Sequence, residues 1–507
     1  MNVMTCDQIK CKDAMAMMRF GVPGVLLMEH AALAVLAEME RRTLVRGKIV
    51  VACGRGNNGG DGYALARLLY QKGADVTVVK IFDVPPKGAD ANAFLEMVQR
   101  LKVPFGAPAD FDDADVIVDA IFGTGMKREL NAFCCEIVDR INQSKAVKVC
   151  IDLPSGMDGD ETFQKNPMVQ ADLTVTFTAY KPGLLFYPSA YAAGEVAAVS
   201  IGIPDTLGDN ATCIVDQNMV KEGLPKRDPA GHKNSFGHVL VAGGSVGMTG
   251  APVLTAQTAL LSGCGLVTAA VPGNLYEIVE QKLTEVMTLP LEDRHTGQFD
   301  PEAKDLFLQK AGRADTVVFG PGAGTGQGTA SLLHGLLQTK AKVVIDADGL
   351  NVLSNHMDWL AGRECEMCII TPHPGEMARL AGVSVSEIEE NRLEFARDFA
   401  KRYRVTLVLK GARTVIATKK GQVFVNLFGN SGMATAGSGD VLAGVTGSLL
   451  AQGVREEQAA LCAVAVHAMA GDAAAKRFGE AGVTAGAISR QIPVVMKQIM
   501  EGNCETE

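Results

Sequence analysis

The segment Asn430–Gly444 reads NSGMATAGSGDVLAG. Its glycines let backbone come close to an anion. The Val441-Leu442-Ala443 run that follows is helix-forming, so the loop's N–H groups fall at a helix N-terminus, where the dipole favours negative charge. Asp440 would repel a phosphate, so binding alone does not explain it. It suits a base that takes a proton from a hydroxyl attacking a phosphoryl group, or from one being expelled. The simpler alternative is an N-cap after a glycine turn, which a bare GxGD would favour and this longer context does not. Other strings with chemistry-bearing residue types lie upstream: Gly320-Pro321-Gly322-Ala323-Gly324, Thr371-Pro372-His373-Pro374-Gly375-Glu376, and Lys410-Gly411-Ala412-Arg413-Thr414. Asp346 and Asp348 are suited equally to a magnesium shell and to capping the next helix.

The first half carries its own loop, Gly54-Arg55-Gly56-Asn57-Asn58-Gly59, which satisfies GxGxxG after a strand. A dinucleotide-binding dehydrogenase would need an acid at the end of the second strand for the ribose. That strand ends in Lys80, with Asp83 a few residues on, so hydride transfer is disfavoured. Asp119 and Asp152 each close a strand, where a turn residue is the plain reading; for Asp152 an acid–base group is the alternative.

These residues need elements to hold them. Lys48–Cys53, Asp75–Lys80, Asp115–Asp119 and Lys148–Leu153 read as strands and Gly62–Gln71 as a helix, the alternation of parallel βαβ units. In such sheets ligands bind beyond the carboxyl ends of the strands. The loops Gly54–Asp61, Gly123–Glu129 and Pro154–Gly159 all lie there. The alternation stops after Ile201-Gly202-Ile203-Pro204-Asp205, and a stretch rich in Pro, Gly and charge from Thr206 to about Asn234 follows. The domain boundary is therefore set near residue 215, giving domains 1–214 and 215–507. The pattern then restarts with strands His238–Ala242, Thr316–Phe319, Lys342–Ile345 and Cys368–Ile370 and a helix over Ala251–Leu261. Val405–Lys410, Thr414–Thr418 and Gln422–Asn426 follow too closely for intervening helices and are expected as an antiparallel meander on the sheet edge. Ser386 with Glu389 is read as a capping box for the helix before them. Helices Gly439–Ala451, Glu456–Lys476 and Thr484–Met500 close the chain.

With 507 residues, two domains are expected; 47% hydrophobic and 21% charged residues exclude disorder, and a net charge of −9 disfavours nucleic acid or an anionic membrane as partner. No run of about 18 uncharged apolar residues spans a membrane. Met1–Lys12 has Asp7 and no apolar run, unlike a signal peptide. The twelve cysteines show no framework spacing, and the lone Cys365-Glu366-Met367-Cys368 reads as chance and burial, so the expected location is a reducing cytoplasm.

The loop AGSGDVLAG resembles the anion hole of the ribokinase-like superfamily. The wider set resembles its ADP-dependent NAD(P)H-hydrate dehydratase branch: Lys233 and Gly237, Gly250-Ala251-Pro252, Gly263–Thr268, the GPGAG and TPHPGE strings, Asp346–Asn351 and His467–Asp472. Lys233 is followed by Asn234 where that branch has glycine. The resemblance implies that Lys410, Gly411, Ala412, Arg413, Thr414 and Gly439 contact the nucleotide, that Ala251, Gly322, Gly324 and His373 line the substrate pocket, and that Asp440 is the catalytic base. In the first half GRGNNGGDG, Asp119–Gly125, Asp152–Asp158 and Thr176–Gly183 resemble the NAD(P)H-hydrate epimerases, over roughly Met1 to Pro204. This implies substrate binding by Asn57, Asn58, Gly59, Gly60 and Asp61, by Gly123, Thr124, Gly125, Met126, Lys127, Arg128 and Glu129, and by Asp152. It also implies potassium ligands Asn58, Asp119 and Ser155, all hard oxygen donors. Asp152 is favoured as the acid–base group with Lys127 as its partner.

The fold implied is α/β throughout: a Rossmann-like three-layer domain followed by a ribokinase-like α/β/α domain. The substrates implied are NADHX and NADPHX, in which water has added to the dihydronicotinamide and left a hydroxyl on C6. Phosphorylation makes that oxygen a good leaving group, the N1 lone pair expels it and loss of a C5 proton restores the ring, with ADP giving AMP and phosphate. Magnesium and potassium are the implied ions and a homo-oligomer the expected assembly. Reversible ionisation through N1 inverts C6, so an epimerase in the same chain would bring both epimers to repair. Two rivals share these features: a ribokinase-like kinase of vitamin precursors fused to a dinucleotide-binding domain, and a first half that senses dinucleotide without chemistry.

Overall fold

The computed structural model describes residues 1–203, 212–365 and 367–502, so Pro204 and Asp205, where the alternation stops, and Glu366 of the CxxC string lie outside the described residues. The chain forms two compact units, Met1–Ala211 and Thr212–Glu507.

The seven-stranded sheet of the first unit holds β1 (Lys48–Cys53), β2 (Asp75–Lys80), β3 (Phe105–Gly106), β4 (Val116–Ala120), β5 (Val147–Ile151), β6 (Leu173–Phe177) and β7 (Glu195–Val199). They pair in the order β3-β2-β1-β4-β5-β6-β7, every pair parallel. A parallel sheet is covered on both faces, which is why β1 and β4 are near-continuous apolar runs rather than alternating ones. Val51, Val78 and Val118 face a core shared with helices Gly24–Arg41, Asn57–Gln71 and Ala89–Arg100. Val50, Val79 and Ile117 face the opposite core, with helix Ala132–Gln143. The result is a three-layer Rossmann-like sandwich. A further helix, Cys6–Phe20, begins with a capping box in which Thr5 and Gln8 exchange side-chain and backbone bonds.

The second unit holds β8 (Thr212–Ile214), β9 (His238–Ala242), β10 (Leu266–Pro272), β11 (Met287–Leu291), β12 (Thr316–Phe319), β13 (Lys342–Ile345), β14 (Cys368–Ile370), β15 (Thr406–Leu409), β16 (Val415–Ala417) and β17 (Val423–Val425). Within it the order is β8-β17-β16-β15-β14-β13-β12-β9-β10-β11. The pairs from β11 to β15 are parallel, and the β15-β16-β17 meander is antiparallel as expected. The meander is not the edge, however: β8 pairs with β17 beyond it, because the Pro- and charge-rich stretch hides a strand too short to show a pattern. One face packs Val239, Val241 and Val318 against helices Gly250–Leu261, Ser438–Ala451, Glu456–Phe478 and Ala485–Glu501. Among the described residues Glu456–Phe478 is the one helix long and apolar enough to cross a membrane, and 72% of its apolar window is buried in this core.

The capping box lies two residues before its expected place. Ser384 Oγ accepts from Glu387 N and Glu387 Oε2 accepts from Ser384 N, starting the helix Val385–Glu390. The string SVSEIEE satisfies the S-x-x-E rule twice, at Ser384 and at Ser386, so spacing alone cannot choose.

Candidate active sites at the two strand-order reversals

In each sheet the chain runs outward on one side of a central strand and then crosses to the other side. The reversals fall between β1 and β4 and between β9 and β12, and each opens a crevice at the carboxyl ends of the strands. Backbone crowds there. A Cβ on Gly54 would sit 1.9 Å from the Ile121 carbonyl oxygen, and one on Gly243 would sit 2.2 Å from that of Pro321, so only glycine fits at either place.

In the second unit, helix Ser438–Ala451 starts after Gly437, its left-handed N-cap, which makes no side-chain cap bond. The first-turn N–H groups therefore stay open to an anion. Asp440 sits in this turn and its carboxyl accepts no hydrogen bond among the described residues. Its pKa is raised to about 7, first by burial, then by the charge of Asp346, with Lys410 opposing and Asp348 adding to the rise. That value suits a base working at neutral pH. Lys410 Nζ donates to Asp346 Oδ1 at 2.9 Å and lies 3.8 Å from Glu376 Oε2. Burial works against its charge, yet Asp346 and then Glu376 outweigh that and hold the ammonium above its ordinary pKa. A Cβ on Gly439 would be 3.3 Å from Lys410 Nζ and 3.7 Å from Asp346 Oδ2, so cation, carboxylate and helix N-terminus lie together.

The glycine loop after β12 is tied to this cluster through Asp348, whose charge acts on Asp440. Ser245 Oγ donates to Gly322 O at 2.8 Å and Gly324 N donates to Asp348 Oδ2 at 2.8 Å. A Cβ on Gly322 would be 3.1 Å from Ala251 Cβ, so Ala251 and Gly322 come together. Asp346 and Asp348 thus part company: one pairs with Lys410, the other braces the loop. Between them Ala347 adopts φ 47° and ψ −117°, a backbone region that side chains avoid. His373 does not point free into the crevice. It is the N-cap of helix Pro374–Ala381, its Nδ1 accepting from Gly375 N at 3.0 Å, and it is half exposed. Burial first, then the cations Lys410 and Arg379, lower its pKa and keep it neutral.

Arg392 went unnoticed in the sequence. It is buried, and its Nη2 donates to the carbonyls of Leu409, Lys410 and Arg413 while Nη1 binds Glu389. This staples the 410–414 loop, where Gly411 and Ala412 are exposed, Arg413 Nη1 donates to Leu427 O and Thr414 Oγ1 donates to Gly411 O. An S-x-x-E or glycine pattern cannot flag such a residue, since its partners lie on another element.

In the first unit a cavity of about 860 Å³ opens at the reversal. Asn57, Asn58, Asp61, Gly123, Thr124, Gly125, Met126, Arg128 and Asp152 line it, as do residues of helix Cys6–Phe20, whereas Gly59, Gly60, Lys127 and Glu129 do not. The helix after β1 begins at Asn57 rather than Gly62, so Asn57–Asp61 form its opening turn and not a loop. Gly56, its N-cap, makes no side-chain cap bond and lines the cavity with Asn57 and Asn58, so the first-turn N–H groups stay open to an anion.

Asp152, at φ 68°, lies just past β5. The expected Lys127–Asp152 partnership does not form: Lys127 is exposed and binds Asp7 at 3.0 Å. The cation at Asp152 is Lys181, fully buried, whose Nζ lies 2.5 Å from Asp152 Oδ1 and 2.6 Å from Thr176 Oγ1. A buried ammonium needs such a partner, and the TAYKPG string delivers it from the loop after β6. Asp119 is fully buried and accepts from Ser155 Oγ, Ser155 N, Ile121 N and the Cys150 thiol. Four bonds fill a carboxylate's usual capacity. Asn58 is the reverse case: it is 8% exposed and both carboxamide atoms are buried without a partner among the described residues.

Residues 239–494 match the family described as NAD(P)H-hydrate dehydratase, and residues 25–183 match the YjeF-related protein N-terminus. The chain belongs to the bifunctional NAD(P)H-hydrate repair enzyme family. It is 38% identical to the bifunctional NAD(P)H-hydrate repair enzyme Nnr of Moorella thermoacetica, with 99% of this chain and 98% of that one aligned. Against the enzyme of the same name from Escherichia coli the identity is 34%, over 86% of this chain and 82% of that one. A solved ribokinase-like superfamily protein from Enterococcus faecalis is 26% identical, with a TM-score of 0.51, covering 58% of this chain and 99% of its own. Both halves of a repair enzyme of this family are therefore present, each with its crevice at a strand-order reversal.

Proposed function

We propose that this chain repairs hydrated nicotinamide cofactors: the first unit interconverts the R and S epimers of NADHX and NADPHX, and the second dehydrates the S epimer using ADP. The observation that carries the second activity is Asp440. It stands at an open helix N-terminus beside Lys410, with a pKa near neutrality. Phosphate of the nucleotide would lie on the N–H groups, Gly439 would close the cradle and Lys410 would neutralise charge. Asp440 would take the proton from the C6 hydroxyl as that oxygen is phosphorylated. AMP leaves as the phosphoryl group is transferred, the N1 lone pair then expels the C6 oxygen as phosphate, and loss of a C5 proton restores the ring. Ala251, Gly322 and Gly324 would hold the nicotinamide end.

In the first unit Asp152, ion-paired with Lys181, would exchange a proton with the C6 oxygen, while the opening turn at Asn57 would bind substrate phosphate. Potassium fits through Asn58, a buried hard oxygen with no partner. Asp119 and Ser155 would join only by releasing bonds they make here, the Cys150 thiol contact being the weakest. The cation would add positive charge for the dinucleotide's phosphates. Asp346 Oδ2, which accepts no hydrogen bond among the described residues, would face magnesium brought by the nucleotide. A cytoplasmic location is our reading of the scattered cysteines, and a homo-oligomer is our expectation for the assembly.

The test uses the whole chain with separated R- and S-NADHX. S-NADHX should regain NADH absorbance only with ADP, and R-NADHX should do so through prior conversion to S. Phosphorylated substrate accumulating without NADH would refute the dehydratase reading. R-NADHX left untouched would refute the epimerase reading.

A further inference from the structure

Helix Cys6–Phe20 places Ile9, Asp13 and Met17 one turn apart on a single stripe, and all three line the cavity of the first unit. An acid in an otherwise apolar stripe is costly unless it has a partner. Among the described residues Asp13 has none for one oxygen: its Oδ1 is buried and unbonded. Asp13 is far in sequence from the β1–β4 crevice, yet it shares one cavity with Asp152 and with the unpartnered, nine-tenths-buried Asn58. The two carboxyls reach the cavity from different elements, one from a helix and one from the end of β5. They also sense one another. Burial first, then the Asp152 charge, raises the Asp13 carboxyl to about 6, with Lys181 opposing. Asp61, also at the cavity, is pushed well above its ordinary value by burial and by the same two acids. The other charged groups lining the cavity are Lys10, Arg55, Lys87, Asp90 and Arg128.

We propose that Asp13 is a second catalytic carboxyl of the first unit, exchanging a proton with the C6 oxygen of the hydrated nicotinamide on the face opposite Asp152. This rests on the epimerase reading above. The step balances without any co-reactant. One carboxyl, protonated, gives its proton to the C6 hydroxyl. The C6–O bond breaks, its electron pair leaves with water, and the N1 lone pair forms the C6=N1 bond. Water then adds to the opposite face of C6, the π pair returns to N1, and the second carboxylate takes the proton from the added water. C6 is inverted and one proton has passed from one carboxyl to the other. The reverse epimerisation uses the same two groups with roles exchanged. A single carboxyl reaches one face only, which is why two on separate elements are needed.

The experiment follows R-to-S conversion of NADHX by the full chain without ADP, as a function of pH, for wild type, D13N and D13E. D13N should lose about 100-fold or more of the epimerisation rate, the usual scale for removing one acid–base group. Its pH profile should lose the limb near 6, while ADP-dependent dehydration of S-NADHX by the same sample is unchanged. D13E, which keeps the carboxyl, should recover much of the rate and the limb. Wild-type rate in D13N overturns the proposal. So does a slower D13N that keeps the wild-type pH profile, since that marks a structural role, and so does a D13E as inactive as D13N. Wild type that fails to epimerise defeats the epimerase reading itself, a separate outcome.

Discussion

The pH dependence of dehydration can be worked from the charges around Asp440. The carboxyl moves from an ordinary 3.8 to about 7, by burial and then by Asp346, against Lys410. A base must be ionised to act. The rate should therefore fall tenfold for each unit below about pH 7, so that at pH 6 roughly a tenth of the plateau remains. An unperturbed carboxylate would show no loss there. Asp346→Asn removes the like charge and leaves Lys410 free to favour ionised Asp440. Both effects lower the pKa. Neighbouring charges move a carboxyl by about 1–3 units, and the lower end applies because Lys410 already offsets Asp346. The acid limb should move down by about 1 unit, worth about 1.4 kcal/mol, and the variant should outrun wild type relative to its own plateau at pH 6. Lys410→Met should move the limb up. The assay is recovery of NADH absorbance from S-NADHX between pH 5 and 9, with ADP and substrate saturating so that weaker binding is not misread. A wild-type limb near 4, or an Asp346→Asn limb that rises, would refute the reasoning.

Asp440→Asn should abolish dehydration while nucleotide binding, measured by calorimetry, stays largely intact; wild-type turnover would remove the base assignment. The same change should stabilise the second unit. A carboxyl raised on folding favours the native state only while protonated, so its ionisation costs stability progressively from about pH 4 to about pH 7. The Asn variant should match wild type near pH 4 and exceed it by on the order of 2 kcal/mol at pH 8, after discounting for partial solvation. Arg392→Gln breaks three carbonyl contacts and leaves Glu389 without its guanidinium. It should cost about 2–4 kcal/mol in denaturant unfolding and raise KM for ADP about tenfold with a smaller change in kcat. Gly54→Ala forces a Cβ to within 1.9 Å of the Ile121 carbonyl oxygen and should destroy epimerisation while dehydration survives, which activity assays on both epimers would show.

The parallel strands were legible because burial on both faces leaves short unbroken apolar runs, and Thr316–Phe319, Lys342–Ile345 and Cys368–Ile370 stand where the runs placed them. The anion loop at Asn430–Gly444 was legible because glycine turn and helix onset are local. What escaped was set by tertiary placement. Lys181 reaches Asp152 from 29 residues away, whereas Lys127 was nearer to the other expected binding residues and proved to face solvent. Arg392 binds carbonyls, which carry no side-chain signature. Asp13 looked like any polar residue of an amphipathic helix until the cavity showed what its stripe faces. Asn57 began its helix early because glycines, poor helix formers, can still open one when an N-terminus is needed there.

Ala347 carries a consequence for anyone improving this protein. Its backbone, φ 47° and ψ −117°, is one that glycine tolerates and alanine resists, at a cost of about 1–3 kcal/mol. Screening variants for heat resistance alone would favour Ala347→Gly. The winner would also loosen the residue that links two carboxylates, one tuning the base and the other bracing the glycine loop. A library ranked by melting temperature would thus drift toward robust, idle protein, and the selection should score turnover at this position from the first round.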